Sequence, residues 1–159
     1  SEEPTLVITY SVCLSYATNI CGDHRDFERA IKYAQESHEI LRKLYEQNPM
    51  QHCFNQMICD ANITKYAMSI GQCDLAEQYQ EEAMKLLAQF EEGSQTQNDM
   101  FRFYLTCQQA HLYVCRGDDE NALKAAREAL GIAVDMSQLP DQVRGEKRLM
   151  EDIVERLSK

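Results

Sequence analysis

Three stretches of the chain repeat one pattern: DFERAIKYA at 26–34, CDLAEQYQ at 73–80 and DENALKAA at 119–126. An alanine stands at the same point of each stretch, and successive alanines are 46 residues apart: Ala30, Ala76 and Ala122. Seven residues further on, each copy has another small residue: Ser37, Ala83 and Ala129. Because small side chains let two helices cross closely, this spacing predicts a helical hairpin that occurs three times.

Hydrophobic residues recur at helical spacing along nearly the whole chain, and turn-forming residues separate the segments. The predicted helices are 4–21, 26–47, 50–70, 74–92, 96–116, 119–136 and 141–158. We therefore expect an all-α fold in a single domain over 1–159, namely an α-solenoid of three antiparallel helix pairs plus a C-terminal capping helix. The pairs are predicted at about 4–48, 50–93 and 95–138, and the capping helix at 141–158.

Glycines mark the turns inside the second and third pairs. Gly71 and Gly117 are 46 residues apart, and each precedes the second helix of its pair. The first pair has Gly22-Asp23 instead, which predicts about three extra residues before Phe27. The register of the first pair therefore stays open.

The chain resembles the tetratricopeptide repeat (TPR) family over roughly residues 10–138. The stretches IGQCDLAEQYQEEAM at 70–84 and RGDDENALKAAREAL at 116–130 are similar to the turn and second helix of such a repeat. The family's repeat has about 34 residues whereas this one has 46, and the first helices match less well. These departures leave two interpretations, a generic α-solenoid or a TPR relative with longer helices.

The resemblance implies a scaffold that binds a protein or peptide in a concave groove lined by the first helix of each pair. Carried onto this sequence, the groove residues are Ile58, Ala61, Lys65 and Met68 in the second pair, and Tyr104, Cys107, Gln108, His111 and Cys115 in the third. Nothing is carried over to the first pair. Binding to chaperone tails is disfavoured, because Lys65 alone does not make the Lys/Asn/Arg set that grips a peptide carboxylate in chaperone-binding members.

Charge and hydropathy exclude several classes of partner. The chain has 26 acidic and 16 basic residues and a net charge of -10, so it repels phosphate backbones and we expect no nucleic-acid binding. No run approaches 18 apolar residues, so we expect no membrane insertion. Acidic residues concentrate in 51–100, which favours a solvated outer face over a patch for a basic partner.

The seven cysteines include no CxxC motif, which favours free thiols that line the core or the groove of a cytoplasmic protein. Cys107, His111 and Cys115 follow one another at four-residue spacing on one helix. Thiolate and imidazole could ligate zinc, but three groups spread over two turns rarely converge on one ion and a fourth ligand is missing. A groove-lining stripe is the favoured interpretation, and no metal or cofactor is expected.

The sequence contains no signature of a catalytic site. No nucleophile elbow, P-loop or HExxH motif occurs, and Ser37-His38-Glu39 has no second histidine at the required spacing. We expect a non-enzymatic adaptor or scaffold whose groove holds a peptide or helix of a partner protein. The alternative is a regulatory or ligand-sensing segment of a longer signalling or transcription-regulating protein, and an enzyme of unrecognised type is the third option.

The N-terminal segment raises two further expectations. Ser1 in place of Met indicates a processed product or a segment of a longer chain. Self-association through the N-terminal helix is also open, because Val7, Val12 and Leu14 have no preceding helix pair to cover them.

Overall fold

A computed structural model describes residues 2–96 and 98–159. Within these residues the chain forms α-helices and one short 3-10 turn and contains no strand, so the predicted all-α class is confirmed. The helices are α1 (Glu2–Asp23), α2 (Phe27–Gln47), α3 (Pro49–Ser69), α4 (Cys73–Ser94), α5 (Asp99–Arg116), α6 (Asp119–Leu130) and α7 (Asp141–Leu157).

Six of these helices begin and end within three residues of the predicted bounds, whereas α6 is six residues shorter than predicted. It ends at Leu130, and Gly131 caps its last turn. The chain then runs without helix to a 3-10 turn at Met136–Gln138, where the Asp135 carboxylate accepts a hydrogen bond from the backbone N–H of Ser137 at 3.0 Å. Capping at Gly131 and Asp135 therefore ends the helix before the apolar periodicity does.

The chain divides into two compact units, Ser1–Leu86 and Leu87–Lys159, with the boundary inside α4. In the first unit α2 contacts both α1 and α3. Its apolar core includes Ala34, Leu41, Leu44, Cys59, Ile63 and Tyr79. In the second unit α6 contacts α5 and α7. Its core is built of Phe103, Cys107, Ala110, Ala125, Ala126, Ala129, Met150 and Ile153.

The repeated small residues are buried, as their spacing predicts. Ala30, Ala76 and Ala122 have no exposed surface, and their partners seven residues later are Ser37, Ala83 and Ala129, which are at most 1% exposed. A larger side chain at these positions would hold the neighbouring helix away, so each copy needs the same small residue for a packing reason.

The turns that follow α1, α3 and α5 share one geometry and recur at one spacing. Gly71 and Gly117 both have a left-handed backbone with φ of 74°, and Arg25 has φ of 60°. In each turn the N–H of the next residue donates to a carbonyl five residues back: Asp26 to Cys21, Gln72 to Ala67 and Asp118 to Tyr113. Residues 25, 71 and 117 are 46 apart, so the expected three-residue insertion in the first pair is wrong, and an arginine stands where the other copies have glycine.

Helix α1 approaches α3 closely at Gly22. A Cβ at this position would overlap the hydroxyl of Tyr66, whose ring is buried and stacked on Phe27 with centroids 5.8 Å apart. Glycine is needed here because no other residue lets the end of α1 approach the Tyr66 ring. This contact positions the α1 and α3 faces described below.

Helix α1 is also the most apolar helix of the chain and exposes much of that surface. Leu6, Ile8, Tyr10, Val12, Tyr16 and Ile20 are each at least 40% exposed. The segment Pro4–Asp23 is long and apolar enough to cross a membrane by length and composition, with a mean hydropathy of 1.2 over its best window. A core helix and a leader segment share those properties, so they do not by themselves assign a membrane role to α1.

Candidate functional site

A groove of about 320 Å³ lies between α1 and α3 and has α2 as its floor. Both walls are helices that the repeat pattern predicts to be the first of a pair, which is where the resemblance places a binding surface. The lining side chains are Ile8, Ser11, Val12, Ser15, Thr18 and Asn19 of α1, Ala34, Ser37, Leu41 and Leu44 of α2, and Gln51, His52, Asn55, Ile58, Cys59 and Asn62 of α3.

Six polar side chains of the groove form two contrasting sets. The hydroxyls of Ser11, Ser15 and Thr18 donate to carbonyls of their own helix at 2.8 to 3.0 Å, so they are already used. By contrast, the side-chain amides of Asn19, Asn55 and Asn62 make no hydrogen bond within the described parts of the chain. Each amide offers a donor and an acceptor, which is the complement of a peptide group.

A second feature lies behind the groove floor, where α2, α3 and α4 bring three ionisable groups together. The Nε2 atom of His38 lies 3.0 Å from Oδ1 of Asp60 and 2.9 Å from Oε2 of Glu82. His38 and Asp60 are buried, whereas the Glu82 side chain is 36% exposed. The ring of His38 also meets the ring of Tyr79 edge to face, with centroids 5.2 Å apart. We call His38, Asp60 and Glu82 the three-helix cluster.

The electrostatics of the three-helix cluster follow from burial and proximity. Burial alone would lower the pKa of His38, but the two carboxylates raise it from 6.5 to about 10. Burial raises the pKa of Asp60 from 3.8 to about 7, although the His38 contact acts in the opposite direction. The hydrogen bond from His38 lowers the pKa of Glu82. One positive charge is thus shared between two carboxyl groups.

Several polar atoms around this cluster are buried without a hydrogen bond. Neither carboxyl oxygen of Asp60 has a hydrogen bond of standard geometry, although Oδ1 lies 3.0 Å from Nε2 of His38. The two amide atoms of Gln56 and the hydroxyl of Ser37 also have no hydrogen bond of standard geometry, and both residues are 1% exposed. Buried polar atoms of this kind are rare because each costs about 1–3 kcal/mol, so the cluster is a candidate for binding a ligand.

The groove residues predicted on α3 are distributed differently from the expectation. Ile58 is 48% exposed and lines the groove. Lys65 and Met68 are not among the lining residues, and the ammonium of Lys65 lies 5.1 Å above the ring of Tyr66. The face of α3 that lines the groove is therefore centred on Asn55, Ile58 and Asn62, nearer the start of the helix.

The residues predicted on α5 lie in the second unit and have other surroundings. Cys107 is fully buried in the apolar core, and Gln108 is buried with its Nε2 donating to the hydroxyl of Tyr104 at 3.4 Å. His111 is half-buried, and its Nε2 lies 2.7 Å from Oε2 of Glu146. Cys115 and Cys73 are disulfide-bonded, so the expectation of free thiols holds for Cys13, Cys21, Cys53, Cys59 and Cys107 but is wrong for these two.

Sequence reasoning missed the three-helix cluster altogether. The successive members His38, Asp60 and Glu82 are separated by 22 residues and belong to three helices, so no local motif joins them. One signal was present, since Asp60 stands on the apolar face of α3 where the resemblance leads one to expect an aromatic residue.

The groove and the three-helix cluster together form the candidate functional region of the first unit. Comparison of the chain with protein-family models, with curated proteins and with solved structures found no match.

Proposed function

We propose that this chain is a non-enzymatic scaffold that binds an extended peptide of a partner protein in the groove between α1 and α3. The observation that carries the proposal is the row of unused side-chain amides in that groove, Asn19, Asn55 and Asn62. The 46-residue spacing of the turns at 25, 71 and 117 supports a TPR-like helical repeat as the underlying architecture.

The amide groups favour an extended peptide over a helix. Asn55 and Asn62 are two helical turns apart, which is about 10 Å at the rise of an α-helix. Three residues of extended chain cover about the same distance, so the two amides can hydrogen-bond peptide groups of one strand. A bound helix would have satisfied its own backbone groups and would leave these amides without partners.

The lining also favours a segment with neutral side chains. No aspartate, glutamate, lysine or arginine is among the residues that line the groove. Ile8, Val12 and Ile58 provide exposed apolar contacts along its walls. A charged side chain would lose hydration there without gaining an ion pair, so we expect selection for small apolar and uncharged polar residues.

The test is selection of binders from a phage-displayed library of random peptides, followed by fluorescence polarisation with the best peptide. The double variant Asn55→Ala, Asn62→Ala removes two amides and is expected to weaken binding by about 10-fold to 100-fold, at about 1 kcal/mol for each hydrogen bond. Gln78→Ala is the matched control, because it removes an exposed amide of α4 outside the groove. Equal affinities of the double variant and the control would contradict the proposal.

The second candidate is a ligand-sensing role. The groove volume of about 320 Å³ favours it, because small-molecule pockets begin at about 300 Å³. Under this alternative the library yields no peptide that depends on Asn55 and Asn62. A screen of small uncharged metabolites by thermal shift would then find a compound that raises the melting temperature of the native chain but not of the double variant.

A further inference from the structure

We propose that the three-helix cluster is a binding site for one divalent transition-metal ion such as Zn²⁺, held by His38, Asp60 and Glu82. The site is independent of the peptide groove, and either proposal can fail without the other.

The spacing of the three groups suits a common ion. One ligand atom from each residue can be chosen so that all three lie within 4.8 Å of one another. The two measured separations, from Nε2 of His38 to Asp60 and to Glu82, are 3.0 and 2.9 Å. Nitrogen and oxygen ligands at about 2.0–2.2 Å from Zn²⁺ are separated by about 3–3.5 Å, so only small side-chain movements are needed to place an ion between them.

The hydrogen bonds of standard geometry do not use all three groups of the cluster. His38 directs a single nitrogen, Nε2, toward both carboxylates, and that nitrogen carries at most one hydrogen. The hydrogen bond to Glu82 uses it, so neither oxygen of the fully buried Asp60 carboxyl has a hydrogen bond of standard geometry. A metal ion can accept a lone pair from each of the three groups at once.

Charge balance in the three-helix cluster also favours a divalent ion. Asp60 has no contact with water, so its carboxylate form is costly without a balancing positive charge. Neutral imidazole and two carboxylates around a divalent ion sum to zero, which removes the cost of a buried unbalanced charge. One imidazole with two carboxylates also selects transition metals over Mg²⁺ and Ca²⁺, which prefer oxygen ligands alone.

A second, independent observation comes from Gln56. This side chain is 1% exposed and lies beside Glu82, and neither of its amide atoms has a hydrogen bond of standard geometry. Metal-bound carboxylates are commonly held by such an outer hydrogen-bond donor, whose loss weakens metal binding by about 10-fold to 100-fold. Gln56 is placed to take this role once Glu82 turns toward an ion.

The test measures binding of Zn²⁺ and Co²⁺ to the chain after treatment with a chelator. We expect one Zn²⁺ per native chain by elemental analysis after dialysis, and visible absorption bands of Co²⁺ that saturate at one equivalent. Asp60→Asn and His38→Gln each remove one ligand, and we expect affinity to fall by at least about 100-fold, more than the loss of an outer donor causes. Glu81→Gln, an exposed neighbour of Glu82, is the control and keeps native affinity.

Asp60→Asn keeps the side-chain volume and removes a buried charge, so we expect it to fold, and circular dichroism checks this. Glu82→Gln, at a half-exposed position, is the second variant and should lose binding in the same way. The proposal is overturned if native chain binds no Zn²⁺, or if Asp60→Asn and Glu82→Gln both bind it as tightly as Glu81→Gln. Thiolate absorption in the Co²⁺ spectrum would also overturn it, by placing the ion at cysteines.

Discussion

Each unit contains a histidine whose Nε2 atom meets a glutamate of another helix, and the two pairs have different surroundings. His38 on α2 meets Glu82 on α4 at 2.9 Å, and His111 on α5 meets Glu146 on α7 at 2.7 Å. In the first unit the fully buried Asp60 adds a second carboxyl group, whereas among the described residues only Glu146 forms an ion pair with His111. A histidine–glutamate pair alone joins two helices. The added Asp60 makes a three-residue cluster whose buried carboxyl oxygens have no hydrogen bond of standard geometry.

The largest effect is expected from removing the two histidines in turn. In metal-free protein, His38→Ala leaves Asp60 and Glu82 without their cation, and breaking a buried pair in this way costs about 3–5 kcal/mol of unfolding free energy. His111→Ala removes a half-buried pair and should cost about 1 kcal/mol. Urea unfolding of both variants measures the difference, and equal losses would show that the Asp60 carboxylate is not what separates the two sites.

The next effect compares one glycine in each unit. Gly22→Ala forces a Cβ onto the buried ring of Tyr66 and should destabilise the chain by about 1–3 kcal/mol. Gly145→Ala places a Cβ in open space within α7 and should stabilise it by about 0.5–1 kcal/mol. The melting temperature should fall for Gly22→Ala and rise for Gly145→Ala, and thermal unfolding measures both changes. If Gly22→Ala is neutral, then α1 and α3 can separate at this point and the groove walls are not fixed by it.

A smaller effect is expected at the left-handed turns. The backbone of Arg25 is left-handed, which is strained for a residue with a Cβ. Arg25→Gly removes the Cβ and should stabilise the first unit by up to about 1 kcal/mol. Part of this gain is offset because the guanidinium lies 5.6 Å above the Phe27 ring. Gly117→Ala should have the opposite sign and a similar size. The equivalence of the two turns would be refuted if both substitutions changed the melting temperature in the same direction.

The smallest effect is a pH dependence at the start of α6. The Asp118 carboxylate accepts hydrogen bonds from the N–H and side-chain amide of Asn121, which lower its pKa below the unfolded value of 3.8. A lowered pKa means that this contribution is present above about pH 4 and lost as the pH falls through the folded value. Asp118→Ala should therefore lower the melting temperature at pH 7 more than at pH 3. Asp118→Asn keeps a cap without a titrating charge, so its difference from Asp118→Ala should not shrink in acid.

The helices and their small buried residues were predictable because the signals are local. The periodicity of the chain and the alanines at 30, 76 and 122 fix which faces turn inward. The end of α6 was misjudged, because Ile132 and Val134 continue the apolar pattern while packing on the core without helix. Here the turn chemistry of Gly131 and Asp135 outweighed periodicity.

The site was less predictable because it depends on contacts between distant residues. Ile58 lines a groove, but the lining face of α3 is displaced from the predicted one. The end of α1 meets α3 where Gly22 lies against Tyr66, and no sequence pattern within α3 predicts this contact. Asp60 was visible as an odd residue on an apolar face, yet its partners His38 and Glu82 emerge only when three helices come together.

The unequal access of the three-helix cluster to water has a kinetic consequence. Asp60 has no exposed surface and the His38 side chain is 8% exposed, so Glu82 is the member through which the cluster meets solvent. An ion would be captured first by Glu82 and would pass the same side chain on leaving. The time that the ion stays bound would then be set by rotation of the Glu82 side chain. Substitutions that hinder or ease this rotation would change the rate of ion exchange and leave the buried ligands His38 and Asp60 nearly unchanged.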